Sequence, residues 1–197
     1  MSIMSSSVVR YYSIIQVACF FIQSLHVSLI GHKPFNPIIG ETFQASFTPT
    51  TGNSENTLDF YVEQTSHHPP ILNYYGKHKH YTIYGHRESS AYGTGNSVVA
   101  EIKGPFNIKF SDGTHIVTHY PKFVMNGLVF GKKLFGYEGN FVIEDKTNNL
   151  TCILNINPKQ SKGFFGGIFG KTTKNFPDYF NGFIASSSDI EFDKKTS

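Results

Sequence analysis

The sequence predicts a mainly β fold with one N-terminal helix, an α+β arrangement in one domain of 197 residues. The 18 Gly and 9 Pro supply many turn positions. Segments rich in strand-forming residues recur between those turns about every 8–12 residues, which is the spacing of an antiparallel sheet, sandwich or barrel. The sequence lacks the alternation of helical and strand patterns that would predict a parallel sheet.

The composition restricts the class of function. A hydrophobic fraction of 39% with 19 Phe and 11 Tyr is too apolar for a disordered chain. The net charge of +3 favours an anionic partner such as a phospholipid surface, and it is far below the basic charge of a nucleic-acid binder. With only Cys19 and Cys152 present, a disulfide scaffold is not expected, so the chain is placed in the reducing cytosol.

Residues 8–30 form an apolar stretch of about the length of a membrane span. Arg10, Gln16, Gln23 and His26 interrupt it, and polar groups are costly at the bilayer centre. A buried or half-buried helix is therefore the preferred interpretation, and a membrane anchor is the alternative. The predicted buried face has helical spacing and consists of Tyr11, Ile15, Ala18, Ile22 and Leu25.

The rest of the chain is predicted as short strands, with turns at residues 93–96, 111–113, 136–140 and 146–149. The strands are predicted at residues 42–48, 58–65, 77–84, 98–102, 106–110, 115–119, 123–130, 141–143 and 150–156.

Residues 161–171 combine four glycines with four large apolar residues between Lys162 and Lys171. The preferred interpretation is a loop whose phenylalanines pack on the core, and the alternative is a loop that enters an anionic membrane surface. The domain is predicted to span residues 1–185, and residues 186–197 are predicted to be a polar, disordered tail.

Two adjacent histidines, His67 and His68, end a predicted strand and are followed by Pro69 and Pro70. Neighbouring strand residues point to opposite faces, so two imidazoles can converge only where the strand ends and the chain bends. Histidine titrates near neutral pH, so a bound phosphate would hold such a pair protonated. Lys33, from a stiff proline segment, would add a permanent positive charge.

Other chemistry at these residues is disfavoured. Zinc needs three or four ligands, and no other histidine forms a recognised ligand spacing with the pair. Ser66 lacks the flanking glycines of a hydrolase nucleophile elbow. A phosphate loop ending at Lys171 would need a glycine where Phe165 stands. The basic residues 77–80 are interpreted as a solvated strand face. No catalytic residue, metal or cofactor is expected.

Two motifs resemble those of the oxysterol-binding protein family. Lys-Pro-x-Asn-Pro-x-x-Gly-Glu is met by Lys33, Pro34, Asn36, Pro37, Gly40 and Glu41. The family signature Glu-Gln-x-Ser-His-His-Pro-Pro is met by Glu63, Gln64, Ser66, His67, His68, Pro69 and Pro70. The motifs follow in the family's order at a similar separation, and the resemblance extends over about residues 8–184.

The resemblance implies an incomplete antiparallel β-barrel around a lipid tunnel, with the N-terminal helix beside it. It also implies that Lys33, His67 and His68 contact the phosphate of a lipid head group. Family members that bind phosphatidylinositol 4-phosphate use the matching residues in this way, and those that bind phosphatidylserine also use the residue matching Asn36. Glu41 is assigned a structural role.

The chain departs from the family pattern at Leu72 and Asn73, where small residues are usual. The family domain also continues past the last residue here, through elements that complete the head-group site. We therefore expect a C-terminally shortened lipid-binding module with peripheral membrane contact, whose ligand is a sterol or phospholipid. The alternatives are a non-transporting lipid-sensing or protein-interaction module and an enzyme acting on lipid.

Overall fold

The computed structural model describes residues 6–27, 36–49, 56–157 and 180–190. In these residues one α-helix precedes an antiparallel sheet, which confirms the predicted fold class. The elements are α1 Ser6–Val27, β1 Thr42–Phe47, β2 Leu58–His67, β3 Pro70–Lys77, β4 Tyr81–Thr94, β5 Ser97–Lys103, β6 Phe106–Phe110, β7 His115–His119, β8 Lys122–Asn126, β9 Leu134–Asp145, β10 Leu150–Ile156 and β11 Phe180–Ser186.

The sheet is an antiparallel meander in which consecutive strands pair, except at two places where a strand is broken into two. Strands β5 and β6 lie end to end along the same edge of β4, and strands β7 and β8 lie end to end along β9. These pieces also pair with one another: β5 pairs with β8, and β6 pairs with β7. Strands β1 and β11 are the two outer strands, so the described residues form an incomplete ring rather than a closed barrel.

A proline marks each break in these paired strands. Pro105 stands between β5 and β6, and Pro121 stands between β7 and β8. Proline has no N–H to donate to a neighbouring strand, so it does not continue the interior of a sheet. The two breaks lie opposite each other, because the pairing of β5 with β8 ends at Ala100 and the pairing of β6 with β7 begins at Phe106.

Helix α1 packs its buried face on strands of the sheet, and that face differs from the predicted one. Ile14, Ala18, Phe21 and Leu25 are buried, whereas Tyr11 and Ile15 are 41% and 45% exposed and Ile22 is half-buried. The ring of Phe21 packs edge-on against Phe106 and Phe141, with centroids 5.4 and 5.8 Å apart. Apolar residues occur on all sides of α1, so helical spacing alone does not identify the buried face. Burial of the large Phe21 ring selects the face that packs on the sheet.

The core between the helix and the sheet is apolar and continuous. It consists of Ile14, Ala18, Phe21, Ile108, Ile116, Phe141, Ile143, Leu150, Cys152 and Leu154. Burial raises the pKa of the Cys152 thiol to about 11, so the thiol is neutral at physiological pH. None of the helical residues that the structure describes forms a segment both long and apolar enough to cross a bilayer.

Several predicted strand limits are wrong. Residues 78–80 form a turn between β3 and β4, inside the single strand predicted at 77–84. Residues 127–130 belong to a loop, and residues 136–140, predicted as a turn, lie inside β9. Strands β3 and β11 were not predicted as separate elements. The alternation of large apolar residues does not reveal where one long strand ends and the next begins.

The C-terminal part of the described chain packs on the sheet. Ser187–Asp189 forms a short 3-10 helix, and the Ser187 N–H donates to the Asn149 carbonyl over 2.9 Å. The predicted disordered tail thus begins with residues that hold regular structure, and residues 191–197 lie outside the described residues. So does the glycine- and phenylalanine-rich segment 161–171.

Candidate functional site

A β-bulge in strand β2 determines which way the histidine pair faces. Gln64 pairs with Leu72, but Ser66 pairs with Ile71, so Thr65 is an extra residue in β2. Side chains alternate between the two faces of a strand, and an extra residue reverses the alternation beyond it. His67 pairs with Pro70 and therefore lies on the same face as Gln64; without the bulge it would lie on the opposite face.

The bulge is fixed by hydrogen bonds from side chains on both strands of the hairpin. Gln64 is 2% exposed, and its Nε2 donates to the Ser66 carbonyl across the bulge over 2.5 Å. On the other face, Asn73 Nδ2 donates to Thr65 Oγ1 over 2.6 Å. Asn73, where the chain departs from the family pattern, thus contacts the bulged residue itself.

The two imidazoles meet at the end of this hairpin. His68 and Pro69 form the turn between β2 and β3, and their peptide bond is cis. The ring centroids of His67 and His68 are 4.7 Å apart and nearly perpendicular, and both side chains are exposed. Within the described ranges, neither ring has a hydrogen-bond or ion-pair partner in the protein. Their N–H groups are therefore available to a ligand.

The face that carries His67 and Gln64 is apolar along strands β1–β3. Strand pairing brings its members into adjacent rows: Phe43, Ala45 and Phe47 from β1, Leu58, Phe60 and Val62 from β2, and Leu72 and Tyr74 from β3. The opposite face of the same strands carries Thr42, Gln44, Ser46, Asp59, Glu63, Asn73 and Lys77 beside two tyrosines. The histidine pair thus lies at one end of an apolar surface.

Aromatic contacts join this surface to the core under helix α1. Tyr74 stacks on Phe60 and on Phe106, with centroids 6.4 and 5.4 Å away, and Phe106 contacts Phe21 of the helix. Burial raises the pKa of Tyr74 above its usual range, and its hydroxyl donates to the Pro105 carbonyl over 3.2 Å. The helix therefore reaches this face through Phe106, on the β3 side. The β1 side of the face remains partly open, since Phe43 and Phe47 are 54% and 52% exposed.

The first motif reaches the same strand as the second. The Gly40 N–H donates to the Gln64 carbonyl over 2.8 Å, and the Gln64 N–H donates to the Glu41 carbonyl over 3.0 Å. The exposed Asn36 lies four residues before Gly40. Lys33 lies outside the described residues, so its place beside the histidines stays a prediction.

Glu41 has a local structural contact. Its carboxylate accepts a hydrogen bond from the Ile38 N–H over 3.0 Å, and its own N–H donates to the Ile38 carbonyl over 3.1 Å. These two bonds close the turn that leads into β1. The assigned structural role of Glu41 agrees with this geometry.

The described residues form two small, open concave sites of about 210 and 190 Å³. One lies beside Gln44 and Tyr61, the other beside His78 and His80. Both are smaller than a usual pocket for a drug-sized ligand. The predicted lipid tunnel is therefore not enclosed by the described residues alone. No group of three or more potential metal ligands occurs among them either.

Comparison with known proteins adds independent information. Residues 4–175 match the family model described as "Oxysterol-binding protein". "Oxysterol-binding protein 9" of Dictyostelium discoideum is 39% identical over 160 residues, which are 79% of this chain and 35% of the relative. "Oxysterol-binding protein-related protein 5" of Homo sapiens is 31% identical over 140 residues, 68% of this chain and 15% of the relative. The chain thus spans about a third or less of these two relatives.

Solved structures share the fold. The Osh3 ORD of Saccharomyces cerevisiae, in complex with PI(4)P, aligns with a TM-score of 0.65 at 18% identity, covering 89% of this chain and 47% of that one. The Osh1 ORD domain, in complex with ergosterol, aligns with a TM-score of 0.63 at 23% identity, covering 73% of this chain and 34% of that one.

Proposed function

Because the chain belongs to the oxysterol-binding protein family, we propose that it binds a membrane lipid, a sterol or a phosphoinositide such as phosphatidylinositol 4-phosphate, and carries it between membranes. The observation that supports this most is the bulge at Thr65, which puts His67 at the end of an apolar face. Two exposed imidazoles beside apolar surface match the two chemical parts of a phospholipid, an anionic head group and a hydrocarbon tail.

In this proposal the head-group phosphate accepts hydrogen bonds from His67 and His68. Lys33 and Asn36 complete the set. A phosphate dianion favours protonated imidazoles, and hydrogen bonds between charged partners are stronger than neutral ones. The half-open apolar face of β1–β3 takes the tail, together with parts of the domain outside the described residues. The protein acts in the cytosol, in peripheral contact with membranes, by binding and release and without a catalytic step.

Extraction of phosphatidylinositol 4-phosphate from liposomes tests the head-group assignment. We expect the double substitution His67→Ala with His68→Ala to reduce extraction by roughly a hundredfold or more, because two charge-assisted hydrogen bonds of about 1.5–3 kcal/mol each are lost. Sterol extraction should continue, since it depends on apolar surface and not on the imidazoles.

A second histidine pair provides the matched control. The rings of His78 and His80 lie 5.4 Å apart in the turn at the other end of β3. His78→Ala with His80→Ala should leave extraction of both lipids unchanged. Equal loss of phosphoinositide extraction in the two double variants, or no loss in either, would contradict the assignment.

A further inference from the structure

The connection between β8 and β9, residues 127–133, is an ordered loop, which we call the apical loop. One residue of the β4–β5 turn holds it from outside. Asn96 Oδ1 accepts hydrogen bonds from the N–H groups of Val129 and Phe130 over 2.7 and 3.1 Å, and Asn96 Nδ2 donates to the Phe130 carbonyl over 2.7 Å. The side chain of Asn96 thus fixes the backbone at the tip of the loop.

The base of the apical loop is fixed as well. The Asn96 carbonyl accepts from the N–H groups of Gly127 and Leu128 over 3.0 and 3.2 Å. Gly127 has a φ of +77°, and a Cβ there would collide with the Lys132 carbonyl. A glycine is therefore required at the point where the two arms of the loop approach each other.

This fixed backbone directs apolar side chains outwards. Val129 and Phe130 are 79% and 72% exposed, and Leu128 is 39% exposed. Three consecutive exposed apolar residues on a well-bonded loop mark an interaction surface, because scattered single residues would be the ordinary case.

The two segments that form the tip and its support carry charges of one sign. Lys132 and Lys133 follow the apolar residues and are exposed. Neither residues 126–137, which contain the loop, nor residues 89–100, which contain the turn that holds it, include an Asp or Glu. An apolar tip beside lysines complements a bilayer that carries anionic lipid, where each lysine near the surface contributes about 1 kcal/mol.

The apical loop lies at the same end of the meander as the histidine pair. Successive turns of an antiparallel meander alternate between its two ends, so the turns at residues 68–69 and 95–96 and the apical loop share one end. The turn closed by Glu41 leads to this end too, and it exposes Ile38 and Ile39 by 70% and 67%. Two separate apolar tips at one end suit a broad surface such as a bilayer.

We propose that the apical loop inserts into anionic membranes and docks the end of the sheet with the histidine pair on the bilayer. This adds a docking surface to the proposed lipid-binding function but does not require the imidazoles. A membrane is the occupant that matches both the apolar tip and the lysines.

A tryptophan at the tip provides the direct test, because the chain contains no Trp. In the Phe130→Trp protein, we expect vesicles of phosphatidylcholine with phosphatidylglycerol to shift the emission to the blue, and brominated lipid to quench it. Tyr75→Trp, at a 45% exposed position of β3 on the opposite, polar face of the sheet, should show neither change.

Acidic substitutions in the apolar tip should weaken docking. We expect Val129→Asp with Phe130→Asp to reduce the partition onto the same vesicles roughly tenfold or more, since apolar burial is replaced by repulsion. Tyr75→Asp, an acidic substitution of an exposed aromatic residue on that polar face, should have no effect. Lys132→Gln with Lys133→Gln should weaken partition on anionic vesicles only, roughly thirtyfold at low salt.

The outcomes separate this inference from the proposed function. Loss of phosphoinositide extraction in the His67→Ala, His68→Ala protein with intact vesicle binding supports both. Wild-type vesicle binding by the Val129→Asp, Phe130→Asp protein overturns the docking surface and leaves the head-group site standing. A dimer in sedimentation experiments that this variant abolishes would also overturn it, because the tip would then bind a second copy.

Discussion

His115 is a partly buried imidazole in the first position of β7. Its ring Nε2–H donates to Asn107 Oδ1 over 3.1 Å, and its backbone N–H donates to Thr147 Oγ1 over 2.9 Å. Burial, and then the positive charges of Lys109 and Lys146, lower the pKa of His115 below its usual value. The neutral imidazole is therefore the form that the fold favours.

The lowered pKa predicts that His115 makes stability depend on pH. Between the folded and unfolded pKa values, the unfolded chain binds more protons, so the His115 contribution is complete above about pH 6.5 and is lost as the pH falls through the folded value. We expect urea midpoints of the wild type to fall from pH 7.5 to pH 5.5 by more than those of His115→Gln. Parallel midpoints in the two proteins would contradict this.

Single residues also show how far the sequence predicts the site. The signature from Glu63 to Pro70 is sufficient to predict that the imidazoles of His67 and His68 meet at a bend, and the structure confirms their proximity. It does not reveal the bulge, because Thr65 is an ordinary strand residue whose extra position appears only in the pairing with β3. The contact from Asn73 to Thr65 depends on the same register.

Strand β4 pairs with β6 over its first part and with β5 over its second part, and a glycine lies where the first pairing ends. Gly85 lies where β4 passes from its pairing with β6 towards β5. A Cβ there would collide with the Pro105 carbonyl and would lie 2.5 Å from the Tyr74 hydroxyl. The close approach of these groups thus needs a residue without a side chain.

Substitution of this glycine should destabilise the fold. We expect Gly85→Ala to lower the free energy of unfolding by about 1–3 kcal/mol through overpacking. Gly93→Ala, on the same strand with open space around it, should stay within about 0.5 kcal/mol of the wild type. Urea denaturation followed by circular dichroism measures both. Similar free energies of unfolding for the two variants would contradict this prediction, because the backbone at Pro105 would then have moved to make room for the added methyl group.

Elements are predicted from local sequence where a turn has a strong signal. The Ser111-Asp112-Gly113 turn is confirmed, and Asp112 Oδ1 accepts there from the Thr114 N–H over 2.9 Å, which lowers the pKa of Asp112. The β3–β4 turn at residues 78–80 carries no glycine or proline and was missed. In α1, apolar residues on all sides obscured the buried face, which long-range contacts with Phe106 and Phe141 select.

At the scale of the molecule, the described sheet ends in two outer strands, β1 and β11. Both carry exposed phenylalanines, among them Phe43 of β1 and Phe183 of β11, at 54% and 56% exposure. The chain spans about a third of the length of its Dictyostelium relative. Sequence motifs predicted the family and the antiparallel class, but the order and register of the meander depend on pairings between distant residues, which no local pattern specifies.

The whole-molecule arrangement places the histidine pair and exposed apolar side chains at one end of the sheet, and one measurement tests the proposed use of that combination directly. A water-soluble, short-chain phosphatidylinositol 4-phosphate is titrated into isotope-labelled protein while the imidazole resonances of the nine histidines are followed by NMR. We expect saturable shifts at His67 and His68, with His78 and His80 unmoved. Saturation that shifts the distal pair instead, or leaves all nine histidines unchanged, would contradict a head-group site at the end of the β2–β3 hairpin.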